Sequence, residues 1–139
     1  MQRLTKRRIA LIQMEQSLNL LANDPVSALT LAGVAEEIIG RVAQRKGHKS
    51  QVERQATHLG ALYEWAGQFR PSRKQLIALV NKTRNELKHQ DDGRNIKVEA
   101  DFKFEAEEML LRCLFNHVDA YGYLPASTRL KNWFFNMTL

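Results

Sequence analysis

Cysteine is nearly absent. Cys113 is the single one among 139 residues, so the chain builds neither an internal disulfide nor a multi-cysteine zinc site, which fits a reducing compartment. Beside Leu114 it reads as a small core residue. Long apolar runs are missing as well. The best, ALTLAGVA at Ala28–Ala35, stops at Glu36-Glu37 and is too short to span a bilayer. The start, MQRLTKRRIALIQMEQ, is basic, but Gln13, Glu15 and Gln16 break its apolar stretch too early for a secretory signal. These absences predict a soluble, cytoplasmic protein with no membrane partner. No internal repeat or low-complexity tract occurs. With 44% hydrophobic and 26% charged residues, the chain suits one globular domain over residues 1–139. A net charge of +6 points mildly to an anionic partner such as nucleic acid, although charge alone does not decide it.

What is present divides into helices. Leu11, Met14, Leu18 and Leu21 form an apolar stripe at 3/4 spacing, which predicts a first helix from about Thr5 to Ala22. Asp24-Pro25 supplies an N-cap and a proline at the first helical position. A second helix should therefore run to about Arg45 and stop at Gly47. Ser50 to Glu53 reads as a capping box opening a third helix that ends before Arg70-Pro71. Ser72 to Gln75 is a second such box, opening a fourth helix that continues to about His89. Ile96, Val98 and Ala100 alternate with polar residues but have no partner strand, so they read as an extended connection. A fifth helix follows from about Phe104 to Tyr121, with Met109, Leu110, Cys113, Leu114 and Val118 inward. A short last helix carries Leu130, Trp133, Phe134 and Met137 as a packing cap. The expected fold is all-α, an antiparallel up-and-down bundle of four to five main helices plus a short C-terminal one.

The stretch RNELKH, Arg84–His89, closes the fourth helix. On a wheel, Leu76, Leu79, Val80, Thr83 and Leu87 share the core face, Arg84 flanks it, and Asn85 and His89 fall on the opposite side. Histidine near neutral pH both accepts and donates protons. An arginine holds a phosphate and neutralises charge developing on it, and an asparagine orients either group. One histidine hardly serves as both base and acid in an in-line attack. A two-fold dimer would bring two histidines and two arginines to one cleft. The competing account is a solvated helix end, where Arg and His are ordinary residues.

These residues resemble the HEPN superfamily of small all-α domains, whose motif is Arg, usually a polar residue next, then His after four to six positions. Arg84, Asn85 and His89 match it in order. LTLAGVAEEIIGRVAQRKG (Leu29–Gly47) followed by RNELKHQDDG is also similar to a group of uncharacterised bacterial HEPN-like proteins. The likeness covers roughly two-thirds of the chain, and its specific part is RNELKH. The resemblance implies a homodimeric, metal-independent endoribonuclease with no cofactor. The ribose 2′-hydroxyl would attack the adjacent phosphate and leave a 2′,3′-cyclic phosphate, so the substrate must be RNA. His89 would be the acid/base, Arg84 the phosphate stabiliser and Asn85 the positioning residue. Many members are toxins or defence effectors, some with an antitoxin protein. Where a nucleotidyltransferase partner modifies a tyrosine two residues after the histidine, this chain has Asp91. The superfamily also contains non-catalytic members, so the alternative is a helical dimer acting as a binding or scaffold module.

Glu36 and Glu37 are adjacent on the second helix and should diverge, which argues against a two-carboxylate or metal site. Glu36, at the edge of the apolar arc, wants a cation and is expected to support the site with Arg84 or an arginine of its own helix as partner. The basic run Arg41, Arg45, Lys46, His48, Lys49 reads as a solvated helix terminus. His48, His58 and His117 lie on different predicted elements without metal-ligand spacing.

Overall fold

The computed structural model describes residues 1–88 and 97–138, and all regular structure among them is helical. His89, the turn Asp91-Asp92-Gly93 and Ile96 lie outside the described residues. The helices are α1 (Lys6–Leu20), α2 (Pro25–Arg45), α3 (Gln51–Trp65), α4 (Arg73–Val80), α5 (Lys82–Lys88), α6 (Phe102–Tyr121) and α7 (Thr128–Thr138). No described helix is long and apolar enough to cross a membrane.

Short polar side chains set the starts. Thr5, Asp24, Ser50, Ser72 and Asp101 each accept from a backbone N–H of the helix they precede, which satisfies donors that have no partner inside the helix. At Ser72 the box is complete, since Gln75 Oε1 accepts in return from the Ser72 N–H at 2.9 Å. At Ser50 only half of it forms. Glu53 turns away to pair with Arg73 at 2.6 Å and to accept from Gln44, because those charges and donors face it across the hairpin. Past Arg45 the chain leaves α2 through Gly47, whose φ of +87° lies in the region glycine tolerates.

The expected fourth helix is two. At Asn81 the chain takes φ −103°, ψ 17°, and α4 ends. Neither glycine nor proline causes this. Arg112, reaching across from α6, donates to the Val80 carbonyl at 3.4 Å and to Asn81 Oδ1 at 2.7 Å. A side chain inserted into the ladder of backbone hydrogen bonds is a known cause of a helix kink. The break also changes the helix faces. Leu76 is buried and Leu87 packs on the core, but Leu79 is exposed.

α2 packs chiefly on α6 and α1, and the core runs through Met14, Leu29, Ile39, Leu110, Leu114 and Leu130. Small residues make this close: Ala28, Ala32, Ala35 and Ala43 of α2 are all fully buried. α3 and α4 pack mainly on each other, leaving Trp65 and Phe69 exposed. α7 anchors through Leu130, with Trp133 and Phe134 half-buried and Met137 exposed.

Candidate functional site

Gly33 and Gly40 lie two turns apart on one face of α2, with Glu36 and Glu37 between them. Each glycine makes room for a polar side chain from another helix. A Cβ on Gly33 would stand 2.5 Å from Nε and 2.8 Å from Cδ of Arg84, so the arginine lies flat across the bare backbone. Its guanidinium pairs with Glu37, and its side chain is one-tenth exposed. Above Gly40, a Cβ would meet Asn116 Nδ2 at 3.3 Å, Ser50 Cβ at 3.5 Å and Glu36 Oε1 at 3.7 Å. That point is where a donor from α6 and an acceptor from α2 converge.

Glu36 is buried, and burial raises its carboxyl above the usual range. The positive charges of Arg112 and then Arg84 pull the other way. Arg112 is buried too; burial lowers its affinity for the proton, and Glu36 is the leading charge that restores it. Two donors here remain short of partners. Arg112 Nε makes no hydrogen bond. Asn116 accepts from the Gln51 N–H at 2.9 Å through Oδ1 and lies close enough to favour the charged form of Glu36, yet its Nδ2 completes no hydrogen bond. Buried donors left in this state are uncommon.

Glu36, Glu37, Arg41, Asn81 and Arg84 line one cleft of about 210 Å³, walled on its apolar side by Val52 and Ile77. The two carboxylates thus open on the same space, contrary to the expectation that neighbours on a helix diverge. Glu36 faces it from the floor over Gly40, while Glu37, held by Arg84, borders it from the side. Such a cleft combines hydrogen-bond donors, acceptors and fixed charges with a dry wall, the mixture that seats a small polar ring or a phosphate-bearing group. Among the described residues no cluster of three or more His, Cys, Asp and Glu is placed to hold a metal ion.

Of the residues singled out in the sequence, Arg84 turns inward to the cleft, Asn85 is half-buried on α5, and His89 lies outside the described residues. Glu36 is in the site, but its leading cation is Arg112 of α6, with Arg84 second and no arginine of its own helix among the partners. Arg84 instead takes Glu37. Arg112, Asn116 and Asn81 were not foreseen. One signal existed: Arg112 and Asn116 are polar residues four apart inside an otherwise apolar arc of α6, where a buried polar group needs partners.

The remaining candidates take structural roles. Arg41 lines the cleft, whereas Lys46 donates to the Ala120 carbonyl and sits 4.6 Å from the Tyr121 ring centre. His117 is buried, its Nδ1 lying 2.7 Å from the Tyr123 carbonyl. Cys113 is buried, donates to the Ala32 carbonyl at 3.1 Å and has its thiol pushed well up by burial, which makes it inert. Compared with known proteins, the chain matches no family model, no curated protein and no solved structure.

Proposed function

We propose that this chain is a HEPN-type helical domain, an antiparallel bundle that works in the cytoplasm as a homodimer and cuts RNA without a metal ion. In this reading Arg84 holds the scissile phosphate and stabilises the charge that grows on it. Asn85 orients that phosphate, and His89 transfers the proton, one histidine from each copy serving as base and acid. The 2′-hydroxyl attacks, the 5′-oxygen leaves, and a 2′,3′-cyclic phosphate remains. Glu36 supports the arginines from beneath. A toxin or defence role, with an antitoxin protein as partner, belongs to the same proposal.

One observation carries it. The two stretches on which the resemblance rests meet in the fold through Arg84, which lies across Gly33 and pairs with Glu37 of the first stretch. An arginine fixed in this way is pre-organised for a phosphate, and its remaining N–H donors are directed rather than searching.

A second reading has its own support. Arg84 is already paired and little exposed, which is what a purely architectural arginine looks like, and a non-catalytic binding or scaffold dimer would use it so. Cleavage of labelled single-stranded RNA in EDTA separates the two. The nuclease reading expects cutting by the native chain, cyclic phosphate ends, and loss of at least about a hundredfold in both His89→Ala and Arg84→Ala. Absence of cutting, or cutting that survives both substitutions, leaves the scaffold reading.

A further inference from the structure

The positive charge of the chain is not spread evenly. Lys49 to Lys82, about a quarter of the sequence, holds six basic side chains against Glu53 and Glu64, a net +4 of the chain's +6. This stretch is the hairpin of α3 and α4. A groove of about 280 Å³ lies in it, lined by Lys49, Glu53, Thr57, Arg70 and Arg73 over Ala56 and Leu76. Gly60 lets Arg70 lie flat on α3, since a Cβ there would stand 2.7 Å from Nε and 2.9 Å from Cζ. Arg70 is oriented but weakly held: it pairs with Glu64 at 3.0 Å, both side chains are about half exposed, and such a pair contributes little in water. Just before Arg70 the hairpin presents two rings that touch little of their own protein. Trp65 is 87% exposed and Phe69, four residues on, is 94% exposed. Rings left this bare beside a concentration of one charge sign mark a surface that meets a partner.

We propose that the α3–α4 hairpin is a docking platform for a single strand of nucleic acid, with phosphates along the groove of Lys49, Arg70 and Arg73 and bases stacked on Phe69 and Trp65. This rests on the RNA reading above and names the surface that holds the substrate. Charge selects an anionic partner, and the rings narrow it further. A duplex keeps its base faces stacked inside and has none to offer a ring, and a flat lipid surface does not enter a groove. A single strand supplies both, phosphates for the cations and free base faces for the aromatics. Stacking uses the π-face that every base has, so the platform takes any sequence and does not distinguish RNA from DNA. Val52 and Ile77, which wall the Arg84 cleft, adjoin Glu53 and Leu76 of the groove in sequence, so a strand held on the hairpin passes close to that cleft.

The test uses the intact chain and fluorescein-labelled oligodeoxythymidine of about twelve nucleotides, within the span such sites cover. It lacks the 2′-hydroxyl and so binds without being cut. Oligouridine and a DNA duplex of the same length are titrated beside it, each over a salt series. The two single strands should bind alike, and the duplex about tenfold or more weaker. Trp65→Ala and Phe69→Ala, at sites too exposed to carry the fold, should each weaken single-strand binding about tenfold, the loss of one stacked base. Arg70→Gln combined with Arg73→Gln should lower the slope of log affinity against log salt by about 1.4, two phosphate contacts at roughly 0.7 each. Of the two tryptophans Trp65 is exposed and Trp133 half-buried, so the strand should quench a fluorescence that Trp65→Ala removes. No binding at about 0.1 mM protein, equal binding of strand and duplex, or binding untouched by both ring substitutions would overturn the proposal. So would capture on phosphatidylserine vesicles, or self-association, that depends on Trp65 while no strand binds. Strand binding with no RNA cutting keeps the platform and removes the nuclease. RNA cutting that needs His89 but is unchanged in both ring variants does the reverse.

Discussion

Gly33 decides where Arg84 lies. With a Cβ 2.5 Å from its Nε, the arginine has to lift away from α2 and lose Glu37. In Gly33→Ala the better helix propensity, about 1 kcal/mol, offsets much of the crowding, so overall stability should move little. Coupling reveals the change: Arg84→Met should be costly in the native background and nearly neutral after Gly33→Ala, a difference of about 1 kcal/mol or more in a urea-unfolding cycle. Two buried groups fix how stability responds to pH, with opposite signs. Burial raises the Glu36 carboxyl above its ordinary 4.5, although Arg112 and Arg84 oppose the shift, so the native state holds the proton longer than the unfolded chain. Its contribution is present below pH 4.5 and is lost as pH climbs through the raised value. Burial lowers the His117 imidazole below its ordinary 6.5, against the pull of the Tyr123 carbonyl, with the Arg7 charge adding to the lowering. That contribution is present above pH 6.5 and fades as pH falls through the lowered value. Urea midpoints from pH 4 to 8 should show Glu36→Gln flattening the first slope and His117→Gln the second.

Helix starts were legible because their causes are local. Asp24-Pro25, Ser50 and Ser72 cap the helices they were expected to cap, since a cap needs only a side chain and the N–H groups two or three residues on. The break between α4 and α5 was not legible. Nothing in the stretch Leu76 to Leu87 interrupts a helix; the cause, Arg112, is 31 residues beyond Asn81 and reaches it only after α6 has docked. Arg112→Met retains much of the volume and removes the charge. It should let α4 and α5 straighten into one helix while leaving Glu36 buried without its main cation, at a loss of roughly 3 kcal/mol. Glu36→Gln together with Arg112→Met should recover part of that loss, because both ends of the pair are then neutral. Straightening without any loss of stability would mean that Glu36 is held by Arg84 alone. Chemical denaturation of the four proteins, with backbone NMR shifts across Val80–Lys82 for the kink, gives both answers.

For the molecule as a whole, all-helical character and the apolar stripes of α1 and α6 followed from periodicity, and Met14, Leu21, Met109, Leu110, Cys113 and Leu114 are buried as that periodicity requires. The cleft was legible in part: Arg84 was named from one short stretch and Glu36 from its place at the edge of an apolar arc. Gly33, Glu37, Arg112 and Asn116 were not, because each matters through a neighbour on another helix, and a wheel drawn for one helix at a time records no such neighbour. At the scale of assembly the proposed cleavage mechanism needs a second His89 and should fade as a dimer dissociates. Sedimentation equilibrium fixes the oligomeric state over a dilution series, and RNA cutting is then read on the same samples. Cutting per chain should track the dimer fraction, because neither copy alone supplies both a base and an acid. A chain that is monomeric at every concentration and still cuts RNA would rule out the paired-histidine mechanism.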